Sequence, residues 1–134
     1  MALPEALQLE IVAPDRLVFS GEVGEVTIPG AEGYLGILPG HAPLLSELKT
    51  GVISYPEGED RVQLFCSSGF AEVLPDRVIV LAEQVASPEE IDASQARADK
   101  EKAEEMLHSR DPGTDYQAAL ILLDQASTRL QLVE

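Results

Sequence analysis

The chain has 134 residues, with 24 acidic side chains against 9 basic ones and a net charge of −15. That balance excludes nucleic-acid binding, which needs clustered Lys and Arg to displace counterions, and it opposes adsorption to anionic lipid. The single cysteine, Cys66, excludes an internal disulfide, and two histidines, His41 and His108, are too few for most metal or acid–base clusters.

The start of the chain lacks the positive region of a secretory signal, because the first basic residue is Arg16 and Pro4 and Glu5 interrupt the opening. Leu7, Leu9, Ile11 and Ala13 alternate with Gln8 and Glu10, which predicts a half-buried strand ending in a Pro14-Asp15 turn. Further turns are expected at Pro29-Gly30, Pro56-Glu57-Gly58, Ser68-Gly69 and Pro75-Asp76. Gly33 to Ser46 is uncharged, but it holds Pro39 and Pro43 and falls short of the roughly 20 apolar residues of a membrane span. A soluble protein is expected, held at any membrane by another subunit. Val62, Leu64 and Cys66 oppose Gln63, placing Cys66 in a core, and the run Val78 to Leu81 suits a strand covered on both faces. Nine of ten glycines and fifteen of eighteen Val and Ile residues precede Ser87. β-branched residues with regularly spaced turn formers predict a sandwich or barrel over residues 1–86.

From Ser87 the pattern becomes helical. Ser87-Pro88-Glu89-Glu90 reads as a capping box with proline at the first helical position, and Thr114-Asp115-Tyr116-Gln117 as a second one. The short connection Ser109 to Gly113 makes the two helices antiparallel neighbours, with a hairpin over residues 87–134. The second helix carries a seam of Tyr116, Ala119, Leu123, Ala126, Leu130 and Val133, with Leu120, Ile121, Leu122 and Leu132 outside it. The first offers mainly Ile91, Ala96, Ala98, Ala103, Met106 and Leu107. Two such helices leave large side chains wet, so a further contact surface is required, either the sandwich or a separate subunit. His108 falls in the last helical turn, where a cation at the carbonyl end is mildly stabilising.

Catalytic motifs are missing. No glycine is followed by lysine, so there is no phosphate-binding loop, and neither a Gly-x-Ser-x-Gly elbow nor dinucleotide-binding glycine spacing occurs. The segment that stands out is Gly33 to Leu45, apolar, rich in Gly and Pro, and uncharged on an acidic chain. It reads either as a buried strand and rigid turn or as a preformed contact loop, whose prolines lower the ordering cost of docking.

Within it, Gly36-Ile37-Leu38-Pro39-Gly40-His41-Ala42-Pro43-Leu44-Leu45 closely resembles the signature of the epsilon subunit of F-type ATP synthases. Val18-Phe19-Ser20-Gly21, Leu48-Lys49-Thr50-Gly51-Val52, Ser68-Gly69-Phe70-Ala71-Glu72-Val73, Val80-Leu81-Ala82-Glu83, Asp115-Tyr116 and Arg129-Leu130 extend the match over the whole chain. The resemblance implies an N-terminal antiparallel β-sandwich of about ten strands followed by a C-terminal antiparallel two-helix hairpin. It implies a non-catalytic rotor subunit of the central stalk, binding the gamma subunit and the c-ring and coupling proton-driven rotation to ATP synthesis. The place it implies is peripheral, on the cytoplasmic side of the energy-transducing membrane. It also implies a hairpin that can extend to the catalytic alpha/beta hexamer and block ATP hydrolysis. The interface residues it suggests are Gly33, Tyr34, Gly36, Pro39, Gly40, His41 and Pro43, with Leu123 and Leu130 of the second helix.

Some relatives bind ATP on the folded hairpin. The matching residues of such a weak site are Ile91, Asp92, Ala96 and Arg129, but Gln95 and Gln125 stand at arginine positions. Glutamine supplies neither the charge nor the fork that phosphate binding needs, so no cofactor is expected and ATP binding is disfavoured. The second helix has one arginine, Arg129, against Asp115, Asp124 and Glu134, which makes electrostatic capture by an acidic partner segment poor and predicts weak inhibition. Tyr34 stands where some relatives carry an acid facing the ring. A free-standing nucleotide sensor is disfavoured by the missing arginines, and an unrelated β-sandwich enzyme by the lack of a nameable nucleophile or metal set.

Overall fold

The computed structural model describes residues 4–134; Met1 to Leu3, at the head of the expected sandwich, lie outside it. Eight strands come first: β1 Leu7–Ala13, β2 Arg16–Val23, β3 Val26–Gly30, β4 Gly33–Ile37, β5 Leu44–Leu48, β6 Gly51–Glu57, β7 Asp60–Leu74 and β8 Arg77–Ala86. A 3-10 turn, Pro88–Glu90, leads to helices α1 Ala93–His108 and α2 Tyr116–Val133. The strands form a β-sandwich and the helices an antiparallel hairpin. Strand order is β2-β1-β8-β7-β5-β3-β4, with β6 pairing β3 and β7. All pairs are antiparallel except β1 with β8, so the sheet is mixed.

There are eight strands rather than about ten, and Ser68-Gly69 is not a turn. β7 runs straight through it, paired to β8 from Phe65↔Ala86 to Leu74↔Arg77. Gly69 has φ +153°, and a Cβ there would lie 2.0 Å from the Leu81 carbonyl oxygen. Glycine thus permits close approach of two backbones in mid-strand. β5 and β6 pair with successive stretches of β7, residues 69–73 and 60–66, so one long strand replaces two. The Pro29-Gly30 and Pro56-Glu57 expectations shift likewise, since these residues end β3 and β6 and the turns fall at 31–32 and 58–59.

Leu7, Leu9 and Ile11 are fully buried and pack with Val26, Ile28, Ile37, Ile53, Val73, Val78 and Val80. Phe19 and Tyr55 close one side with ring centroids 4.6 Å apart. Cys66 lies in this core, and burial pushes its thiol up to about 12. Val78 and Val80 are buried as expected, but Leu81 is 53% exposed, so β8 is not covered on both faces along its length.

The helices start later than the capping boxes predict. Ser87 and Glu90 do join, the Glu90 carboxylate accepting both the Ser87 amide and its hydroxyl at 3.0 Å. They close only one 3-10 turn, because Ile91 is extended (φ −87°, ψ 126°) and stops propagation. Asp92 is the N-cap of α1, accepting from the Gln95 amide at 3.0 Å, and Ile91 falls outside the helix. Asp115 rather than Thr114 caps α2, through the Ala118 amide. Where the helices meet, the buried residues are small: Ala96 and Ala103 on α1, Ala119 and Ala126 on α2. Of the predicted seam, Ala119, Ala126 and Leu130 are buried, Leu123 and Val133 half-buried, and Tyr116 exposed. α2 also packs against β6 and β7.

Candidate functional site

The uncharged segment forms a ledge: β4, a loop over 38–43, and β5. Leu38 is 63% exposed, Leu45 71% and Tyr34 55%, so the segment is not the buried strand and turn of the first alternative, although Ile37 within it is buried. Proline restricts the loop at positions 39 and 43, and hydrogen bonds fix it. The Gly40 amide donates to the Pro75 carbonyl at 2.7 Å and the His41 amide to the Leu38 carbonyl at 3.2 Å. His41 Nδ1 lies 2.6 Å from the Ala42 carbonyl oxygen, so that nitrogen carries the proton. The Tyr34 hydroxyl accepts from the Val52 amide at 3.0 Å, anchoring an otherwise exposed ring. Gly51 makes this possible: a Cβ there would sit 2.6 Å from Pro29 Cβ and 2.7 Å from the Tyr34 hydroxyl. Between the β3–β4 turn and β5 lies a crevice of about 610 Å³ lined by Tyr34, Leu35, Leu44 and Leu45, with Glu32 and Glu47 at its rim. Gly36 and Pro43 are exposed, and Gly33, Pro39, Gly40 and His41 half-buried.

A second apolar surface adjoins the ledge, and sequence reading missed it. Strand register brings Leu17 of β2 beside Val12, Val12 beside Leu81, Leu81 beside Phe70, and Phe70 beside Glu47. All lie on one outer face of the sheet, because side chains alternate along a strand. Leu17 is 60% exposed and Phe70 54%, comparable to Leu81. Carboxylates surround the row: Glu10 and Glu72 lie two residues along their strands from Val12 and Phe70, and Glu83 two from Leu81. Each residue looks ordinary in its own strand, and only the register aligns them; the one sequence signal was that Val78 to Leu81 is apolar at both parities.

The residues matched to an ATP site lie at the seam between hairpin and sandwich without converging as a phosphate cradle. Asp92 is spent on its cap, Ala96 is buried between the helices, and Ile91 is half-buried. Gln95 donates to Asp99 rather than pointing into a cleft. Arg129 stacks 4.3 Å from the centroid of the fully buried Phe65 ring and donates to Gln84 Oε1 at 2.6 Å. Burial lowers the Arg129 pKa, opposed by Asp99. The donor set does not fit a polyphosphate: one committed guanidinium, with carboxylates nearby. Leu130 is buried in the docked hairpin, whereas Leu120 and Ile121 remain about half exposed. Among the described residues no helix is long and apolar enough to cross a membrane.

Residues 6–88 match the family model for the beta-sandwich domain of the ATP synthase delta/epsilon chain, and residues 89–134 its long alpha-helix domain. The ATP synthase epsilon chain of Koribacter versatilis is 47% identical over 110 residues, covering 82% of this chain and 78% of that one. The Moorella thermoacetica epsilon chain is 43% identical over 129 residues, covering 94% and 95%. A chain in the Euglena gracilis mitochondrial ATP synthase, from a structure of its OSCP, F1 and c-ring, superposes with TM-score 0.85 at 25% identity, covering 96% of this chain and 81% of that one. With both domains matched end to end, the chain belongs to the epsilon-chain family of the ATP synthase, whose members are non-catalytic stalk subunits of that complex.

Proposed function

We propose that this subunit joins the gamma shaft to the c-ring, on the cytoplasmic side of the membrane, so that proton-driven rotation is passed to ATP synthesis. The sandwich, residues 1–86, is the binding domain and the hairpin, residues 87–134, the regulatory one. The row Leu17–Val12–Leu81–Phe70 is the gamma-facing surface, and the ledge from Gly33 to Leu45 is the ring-facing one. The observation that carries this reading is an apolar row ringed by carboxylates on a chain of net charge −15. Such a patch suits a partner with an apolar centre and a basic rim, and like charge opposes a second copy of this chain.

ATP binding to the hairpin is weak or absent in this proposal, given Gln95, Gln125 and the commitment of Arg129 to Phe65. Inhibition through an extended hairpin is weak as well, because α2 carries a single arginine. Gel filtration with the cognate gamma subunit tests the core of the proposal. A stable stoichiometric pair is expected, and its loss in Phe70→Glu/Leu81→Glu with circular dichroism unchanged. A pair that forms equally well with that double variant, or no pair with the unmodified chain, overturns it.

A further inference from the structure

The hairpin is tied to itself more firmly than to the sandwich. Its helices pack alanine on alanine, and Arg97 of α1 pairs with Glu134 beyond α2 at 3.1 Å. The Tyr116 hydroxyl donates to the Ser109 carbonyl across the connection. Toward the sandwich, two polar attachments occur among the described residues: Arg129 on Phe65 and Gln84, and Arg16 on Glu90. The second is far in sequence and lies at the connector where the hairpin begins. Arg16, the first residue of β2, places Nη1 2.8 Å from Glu90 Oε2 and Nη2 3.0 Å from Oε1, a two-pronged pairing. Nη2 also donates to the Val85 carbonyl at 3.1 Å, near the end of β8. One guanidinium therefore grips β2, the end of β8 and the 3-10 turn that follows it.

We propose that Arg16 is a positioning residue, a clasp that fixes the connector and thereby sets how firmly the whole hairpin sits on the sandwich. Glu90 is the receiving half. Its carboxylate accepts two bonds from Ser87, which close the turn, and two from Arg16, which tie the closed turn to β2 and β8. Because the two helices pack against each other more extensively than α2 packs against β6 and β7, the hairpin loosens as one unit while the sandwich stays protected. The inference concerns this chain alone and stands whether or not the gamma and ring contacts proposed above are correct.

Amide hydrogen exchange of the full chain tests it. In Arg16→Ala the protected amides of α1 and α2 should exchange about two- to five-fold faster, the range expected of a well-formed but solvent-screened pair. β1, β7 and β8 should be unchanged. Glu90→Gln should act at least as strongly, since it also weakens the Ser87 bonds, and the double variant should be no worse than Glu90→Gln alone, since Arg16 then has no carboxylate left to lose. If a variant fails to fold, the unmodified chain still decides: about 1 M salt, where screening reaches ~3 Å, should speed hairpin exchange selectively. Unchanged hairpin exchange, additive effects of the two substitutions, or acceleration of sandwich and hairpin together each overturns the clasp.

Discussion

The sandwich and the hairpin solve the same burial problem with opposite materials. The sandwich core is built of Leu, Ile and Val with almost no exposure, and its mixed sheet joins chain positions as distant as β1 and β8. The hairpin interface is built of alanines, which let two helices approach closely but remove little apolar area from water. Of its larger residues Leu130 is buried, but Leu120 and Ile121 are left outside. A region that closes on itself can display a rigid surface, whereas one held by small residues and a few attachments depends on its neighbour. The difference lies in side-chain size along the helix rather than in helix propensity.

That contrast can be broken at defined places. The largest effect is expected in the sandwich: Gly69→Val puts a side chain into the Leu81 carbonyl and should cost about 3 kcal/mol or more, read as a lowered denaturation midpoint with both regions unfolding together. Phe65→Ala removes the ring under Arg129. It should cost about 2–4 kcal/mol of hairpin docking and leave residual structure when the helices detach, so a single concerted transition of unchanged midpoint contradicts the contrast. Calorimetry with ATP should show no binding at sub-millimolar affinity. Deleting the chain after Ser87 should raise the ATPase of the assembled complex less than about two-fold, as expected of a helix with little electrostatic capture; a several-fold rise would refute weak inhibition.

The smallest effect is in pH. Arg16, then Ser87, holds the Glu90 carboxyl at about 2, below its ordinary 4.5. A depressed carboxyl contributes stability that is fully present above the ordinary value and lost as pH falls toward the lowered one. Hairpin protection should therefore decline between about pH 4.5 and 2, and Arg16→Ala should flatten that decline.

The fold was largely legible because strand parity and the composition break near Ser87 are local signals. Leu7, Leu9, Ile11 and Cys66 are buried where alternation places them. Ser68-Gly69 misled because a glycine needed for close backbone approach looks like a turn glycine. The ledge was legible as an uncharged segment on an acidic chain. The apolar row was not, since Leu17, Leu81 and Phe70 meet only through register between strands distant in the chain. Arg16 with Glu90 was hidden for the same reason, 74 residues apart in sequence.

The one thiol has a practical consequence. Cys66 is sealed from water and held protonated far above neutral pH, and the thiolate is the reactive form. Alkylating probes will pass over it while the fold is intact. A cysteine introduced at an exposed position, such as Leu45 on the ledge or Ile121 on α2, can therefore carry a single dye without first removing the native one. With both cysteines introduced, a dye pair follows the distance between ledge and hairpin in a chain that keeps its native Cys66.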